Sequence, residues 1–150
     1  MTAKTPPAEL FTLPQAARIA RVDAQLVPYW IKTGMVVPDQ RATGRGVGRG
    51  HLFGFRGLVT LRTIQRLREQ DISLQAVRRV AAYLQRTRGW EDPLARARLV
   101  VVGSDVMHVE AGRVESALRR PGEPAFAFVL DLEGVVGEVR RAVEVMRKAA

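Results

Sequence analysis

Two helical patterns, separated by only Arg21, Val22 and Asp23, restrict this chain more than any other feature in it. Leu13 to Ala20 and Ala24 to Thr33 each repeat apolar residues at three- and four-residue spacing. A segment poor in apolar side chains follows, from Asp39 through Gly44-Arg-Gly-Val-Gly-Arg-Gly50 to His51. Two further helical patterns come after it, marked by Leu58, Leu61, Ile64 and Leu67, and then by Val77, Val80, Ala81 and Leu84. A tight helix–turn–helix with an arginine–glycine loop beside it suits a reader of duplex DNA. Its second helix lies in the major groove and the loop reaches the adjacent backbone.

The distribution of charge supports that reading. Residues 1–90 hold 15 basic and 5 acidic side chains, whereas residues 91–150 hold 9 and 10. The whole positive excess therefore sits beside the helical pair, where each cation placed on a phosphate releases condensed counterions. Arginine outnumbers lysine, which supplies planar forks for phosphate or guanine, although genome composition produces the same bias.

Local signals fix the details. Pro14 suits a first helical turn, and Leu13, Ala16, Ala17 and Ala20 form that helix's apolar face, with Gln15 and Arg18 on its polar side. Asp23 is placed to cap the second helix. There Leu26, Val27, Trp30 and Ile31 are expected to pack inward, leaving Gln25, Tyr29 and Lys32 to face DNA. Pro28 removes a backbone donor, so the second helix is expected to be bent or delayed. Gly34 ends it where a positive φ is needed. Ser73 is a suitable N-cap for the fourth helix. In the basic loop, Arg41, Arg45, Arg49 and His51 are the expected phosphate contacts. Its glycines match neither the dinucleotide nor the ATP-binding pattern.

Several function classes are excluded. Without cysteine there are no disulfides, thiol chemistry or thiolate metal sites. His51 and His108 are the two histidines, too few for a histidine-rich metal site. His108 falls in a strand pattern without neighbouring ligands and reads as structural. No nucleophile–base arrangement is visible, so no enzyme, metal or cofactor is expected. No apolar run approaches the ~20 residues of a membrane span. The expectation is a soluble, cytoplasmic protein.

Phe11-Thr-Leu, Ala17, Val22-Asp and Tyr29-Trp-Ile-Lys-Thr-Gly-Met-Val with Pro38 resemble the N-terminal helix–turn–helix of the MerR (mercury-resistance regulator) family. Phe53-Gly-Phe-Arg-Gly-Leu-Val-Thr-Leu and Leu67-Arg-Glu-Gln-Asp-Ile-Ser-Leu-Gln-Ala-Val are similar to that family's wing exit and following helix pair. The resemblance spans residues 11–85. It implies a winged helix–turn–helix fold, duplex DNA bound as a dimer, and transcriptional control. Arg21 stands where the family's turn usually has glycine, and Pro28 where the recognition helix normally has arginine. His51 and Phe53 replace the wing's usual arginine and tyrosine. The cysteine-based metal and thiol sensing of some members is excluded. The long dimerisation helix that typically follows the fourth is missing.

The overall expectation is a mainly α protein. Residues 1–10 form a flexible arm, 11–88 a winged helix–turn–helix domain of about four helices, 89–97 a linker, and 98–150 a small α+β module. In that module Leu99 to Val102 and Val106 to Val109 read as paired strands, Val114 to Arg119 as a short helix, and Ala125 to Leu130 as a third strand. A C-terminal helix then carries Leu132, Val135, Val136, Val139, Val143 and Met146 along one face, the expected homodimer interface. Whether the module also takes a protein partner or a small ligand stays open. A rival reading is an interaction module, such as an antitoxin that represses its own operon while neutralising a toxin.

Overall fold

The computed structural model describes residues 9–40, 50–123 and 133–149. Its elements in chain order are β1 (Phe11–Thr12), α1 (Leu13–Ala20), α2 (Val27–Lys32), β2 (Leu52–Phe53), α3 (Phe55–Glu69), α4 (Leu74–Arg88) and α5 (Pro93–Arg96). They continue with β3 (Arg98–Val102), β4 (Asp105–Glu110), β5 (Arg113–Ser116) and α6 (Glu133–Ala149). The architecture is mainly α with two small antiparallel sheets, β1-β2 and β3-β4-β5.

The helix–turn–helix is built by its caps. Thr12 and Gln15 form a capping box: the Gln15 amide donates to Thr12 Oγ1 at 3.4 Å and the Thr12 amide to Gln15 Oε1 at 3.0 Å. α1 stops because Arg21 turns left-handed, with φ 58°. The Val22 amide then donates to the Ala17 carbonyl at 3.0 Å, which closes the helix end. Asp23 Oδ1 accepts from the Gln25 amide at 2.9 Å, but residues 24–26 form a turn and α2 begins only at Val27. The delay agrees with Pro28, which now sits in the first turn where no donor is needed. It also corrects two expectations: Asp23 holds the turn rather than capping α2, whose N-cap is Leu26, and Leu26 does not join the inner stripe. Leu26 precedes the helix and is 43% exposed, while Val27, Trp30 and Ile31 are buried. Gly34, at φ 78°, ends α2, and the Met35 amide reaches back to the Trp30 carbonyl at 2.9 Å.

Two long-range features join the segments on either side of residues 41–49. Gln40 bridges Leu52, and β2 pairs with β1 in the register Phe11↔Phe53, Thr12↔Leu52. Asp39 Oδ1 accepts from the Gly54 amide at 2.9 Å, placing a carboxylate at the start of α3. A Cβ on Gly54 would lie 2.6 Å from Asp39 Oδ2, so any larger residue there would push the Asp39 carboxylate aside. Ser73 caps α4 by accepting from the Ala76 amide at 3.1 Å.

β3 and β4 pair as expected. Val114 to Arg119 is not a helix: β5 occupies Arg113–Ser116 and pairs with β4 through His108↔Glu115 and Val109↔Val114. Ala125 to Leu130 and Leu132 lie outside the described residues. α6 packs on α1 and α3, and one hydrophobic core runs continuously from Phe11 to Val143. Val139 and Val143 are buried in that core, with Val135 and Met146 packed partly against it. Arg62, on α3 with 7% of its side chain exposed, donates through Nε to Glu138 on α6 at 2.7 Å. Its Nη1 reaches the Ala20 carbonyl of α1 at 3.3 Å. The two halves are thus joined by apolar burial and by ion pairs, of which Arg62–Glu138 has the most shielded cation.

Candidate nucleic-acid interface

α2 presents its side chains in two sets. Val27, Trp30 and Ile31 anchor it to the core, while Tyr29 and Lys32 are exposed, as are Gln25 and Leu26 in the turn that leads into it. Within the helix, the three-residue spacing of Tyr29 and Lys32 puts them on one side. Tyr29 is 50% exposed. Two hydrogen bonds fix the backbone at the start of this face: the Leu26 amide donates to the Asp23 carbonyl at 3.0 Å, and the Trp30 amide to the Leu26 carbonyl at 3.2 Å. The outward side chains therefore project from a rigid support.

The other expected contacts divide into three groups. Arg18 is exposed in the last turn of α1. Gln15 is exposed too, but its Oε1 is occupied by the Thr12 amide and hydroxyl, so its role in the structure is to start α1. His51 is half-buried just before β2. Arg41, Arg45 and Arg49 lie outside the described residues.

Ion pairing separates the cations near α2 from many of the others. Arg62, Arg66, Arg88, Arg96, Arg120 and Arg147 are all paired with carboxylates. Arg18, Arg21 and Lys32 make no ion pair among the described residues and are exposed. Unneutralised cations flanking a rigid polar face suit a polyanion. Sequence reasoning missed Arg78 and Arg79. They stand on α4 and line, with Thr33, Gly34 and Gln75, an open groove of about 540 Å³ at the end of α2. The adjacent arginines were visible, but nothing local showed that α4 passes beside the end of α2.

Polar groups in the second half serve the junction. His108 is buried in β4, with Nδ1 3.4 Å from Glu115 Oε1 and its ring edge-on to Trp90 at 5.9 Å. The same oxygen accepts from the Tyr83 hydroxyl at 3.2 Å and from Arg88 Nη2 at 3.0 Å. Arg88 also donates to Glu110 at 2.8 Å and holds that carboxyl below the ordinary carboxylate range. These contacts tie the end of α4 to the β3-β4-β5 sheet. A groove of about 760 Å³ lies among α3, α5, β3 and α6; its Arg66 and Glu138 are paired with each other. Among the described residues, no group of three or more His, Asp or Glu is placed to hold a metal ion, and no helix is long and apolar enough to cross a membrane.

A short second helix held by a buried stripe, with exposed polar groups and unpaired cations near it in the chain, is the arrangement of a helix–turn–helix unit. Residues 11–84 match the family model described as MerR HTH family regulatory protein, so this span is a MerR-type helix–turn–helix domain. Over 130 residues it is 29% identical to an uncharacterized HTH-type transcriptional regulator of Mycobacterium bovis, and equally to two proteins so described from strains of Mycobacterium tuberculosis. Each match covers 83% of this chain and 56% of the relative, so the chain spans about half the length of the curated relatives it matches.

Proposed function

We propose that this protein is a sequence-specific transcriptional regulator that binds duplex DNA as a homodimer. α2 enters the major groove, where Gln25, Tyr29 and Lys32 meet base edges and nearby phosphates. Arg18 contacts the backbone beside it. Arg41, Arg45, Arg49 and His51 act as a basic wing on the adjacent backbone. The observation that carries this reading is the exposed face of α2 on a buried Val27–Trp30–Ile31 anchor, within a MerR-type domain. Pairing of two copies is the usual way for so small a reading unit to gain contact area.

With Val139 and Val143 already buried inside the chain, a second copy would meet the accessible rim of α6, including half-buried Val136 and exposed Val145. The test compares two sets of variants by fluorescence anisotropy on labelled duplexes. Arg45→Ala with Arg49→Ala is expected to weaken binding to all duplexes alike. It should also flatten the salt dependence by about one unit for each phosphate that no longer meets a cation. Gln25→Ala is expected to change the preference among sequences instead. Unchanged salt dependence in the arginine variant would overturn the wing assignment.

A further inference from the structure

The entry to α2 carries an apolar group that the helix's DNA-facing role does not by itself require. Leu26 is 43% exposed and stands three residues before Tyr29, which is 50% exposed. A single exposed leucine is ordinary on a protein surface. This one stands three residues before an exposed aromatic side chain, on backbone held by hydrogen bonds to Asp23 and Trp30, with exposed Gln25 and Lys32 nearby in the chain. Arg21 and Lys32, exposed and unpaired among the described residues, stand on either side of it in the chain, so the complementary partner is a polyanion that also offers an apolar spot. A duplex major groove offers one such spot on its base edges, the C5-methyl of thymine.

Composition of the face points the same way. No arginine lies between Arg21 and Arg41, so α2 has no guanidinium fork for guanine. Gln25, next to Leu26, has the amide that pairs in bidentate fashion with adenine N6 and N7. We infer that Leu26, with the Tyr29 ring beside it, reads the methyl group of a thymine in each half-site, and that the helix selects an A·T step. This rests on the duplex-binding reading above. It adds the base that is recognised and the side chain that discriminates.

The experiment uses the full chain and its best duplex from a random-sequence selection. Each thymine is replaced in turn by deoxyuridine, which keeps base pairing and removes only the methyl. Removal of one buried carbon group predicts about a fourfold fall in affinity at one or two positions per half-site. Leu26→Ala should lose a similar factor on the thymine duplex and become indifferent to deoxyuridine at one of those positions. Because Leu26 is largely outside the core, its circular dichroism and melting should match the parent's. Tight, sequence-selective binding with every thymine replaceable at no cost would overturn this inference alone. So would a deoxyuridine penalty that survives unchanged in both Leu26→Ala and Tyr29→Ala. Failure of the parent to bind any duplex would instead remove the reading on which it rests, and this inference with it.

Discussion

Removing Glu138 is expected to destabilise this protein more than removing its partner Arg62, and the difference measures how firmly α6 is joined to the DNA-binding half. Arg62 has only 7% of its side chain exposed, whereas Glu138 has 32% and is shared with the half-exposed Arg66. Glu138→Ala leaves a shielded guanidinium with the Ala20 carbonyl at 3.3 Å and Glu69 at 3.8 Å as its remaining partners. Breaking a fully buried pair costs about 3–5 kcal/mol. The partial exposure of Glu138 and the residual interaction with Glu69 bring the expected destabilisation to about 2 kcal/mol. Arg62→Met removes the shielded charge and fills much of the same space. It leaves Glu138 to Arg66 and water, so about 1 kcal/mol is expected, mainly because the Ala20 carbonyl loses its donor. Urea unfolding followed by circular dichroism separates the two. At a slope of about 2 kcal/mol per molar, the Glu138→Ala midpoint should fall by about 1 M and that of Arg62→Met by half as much. A Glu138→Ala midpoint within about 0.2 M of the parent, or a larger fall for Arg62→Met, would show that the shielded guanidinium does not depend on Glu138.

Three further outcomes follow from local geometry. Arg21→Gly relieves a left-handed residue at φ 58° and should stabilise the fold by about 1 kcal/mol, read as a melting temperature a few degrees higher. Gly54→Ala forces Asp39 off the Gly54 amide and should cost about 1–2 kcal/mol in the same assay, with Asp39→Ala losing a similar amount. Burial, and then the neighbouring Glu115 carboxylate, raise the Tyr83 phenol above its ordinary range. The folded state therefore holds that proton more tightly than the unfolded chain, and the associated stability is present at neutral pH and lost as pH rises through the alkaline range. Tyr83→Phe should flatten the alkaline part of a stability–pH curve, and an unchanged slope there would contradict this origin.

What the sequence made legible was local. Ser73 as a cap, Gly34 at the end of α2 and the buried Val27–Trp30–Ile31 stripe depend on neighbours within a few residues, and all three stand as expected. Leu26 was misplaced because Pro28 shifts the start of α2 by a turn, which takes Leu26 off the inner stripe. Val114 and Leu118 sit at helical spacing, yet β5 forms because β4 offers partners such as His108 for Glu115, a pairing that residue periodicity cannot encode. The Asp39–Gly54 clasp and the Arg62–Glu138 pair join residues 15 and 76 positions apart, and neither leaves a local signature. For the candidate interface the same division holds. The exposure of Tyr29 and Lys32 follows from helical period, Gln25 stands in the turn before the helix, and Arg78 and Arg79 enter only because packing brings α4 beside the end of α2.

Selection of bound duplexes from a random-sequence pool, using the full chain at moderate salt, decides whether α2 reads DNA sequence. Enrichment of a two-fold symmetric sequence is expected, with A·T pairs where α2 meets each half-site and affinity falling steeply as salt is raised. Binding that treats every duplex alike, with no sequence enriched after repeated rounds, would show that it does not.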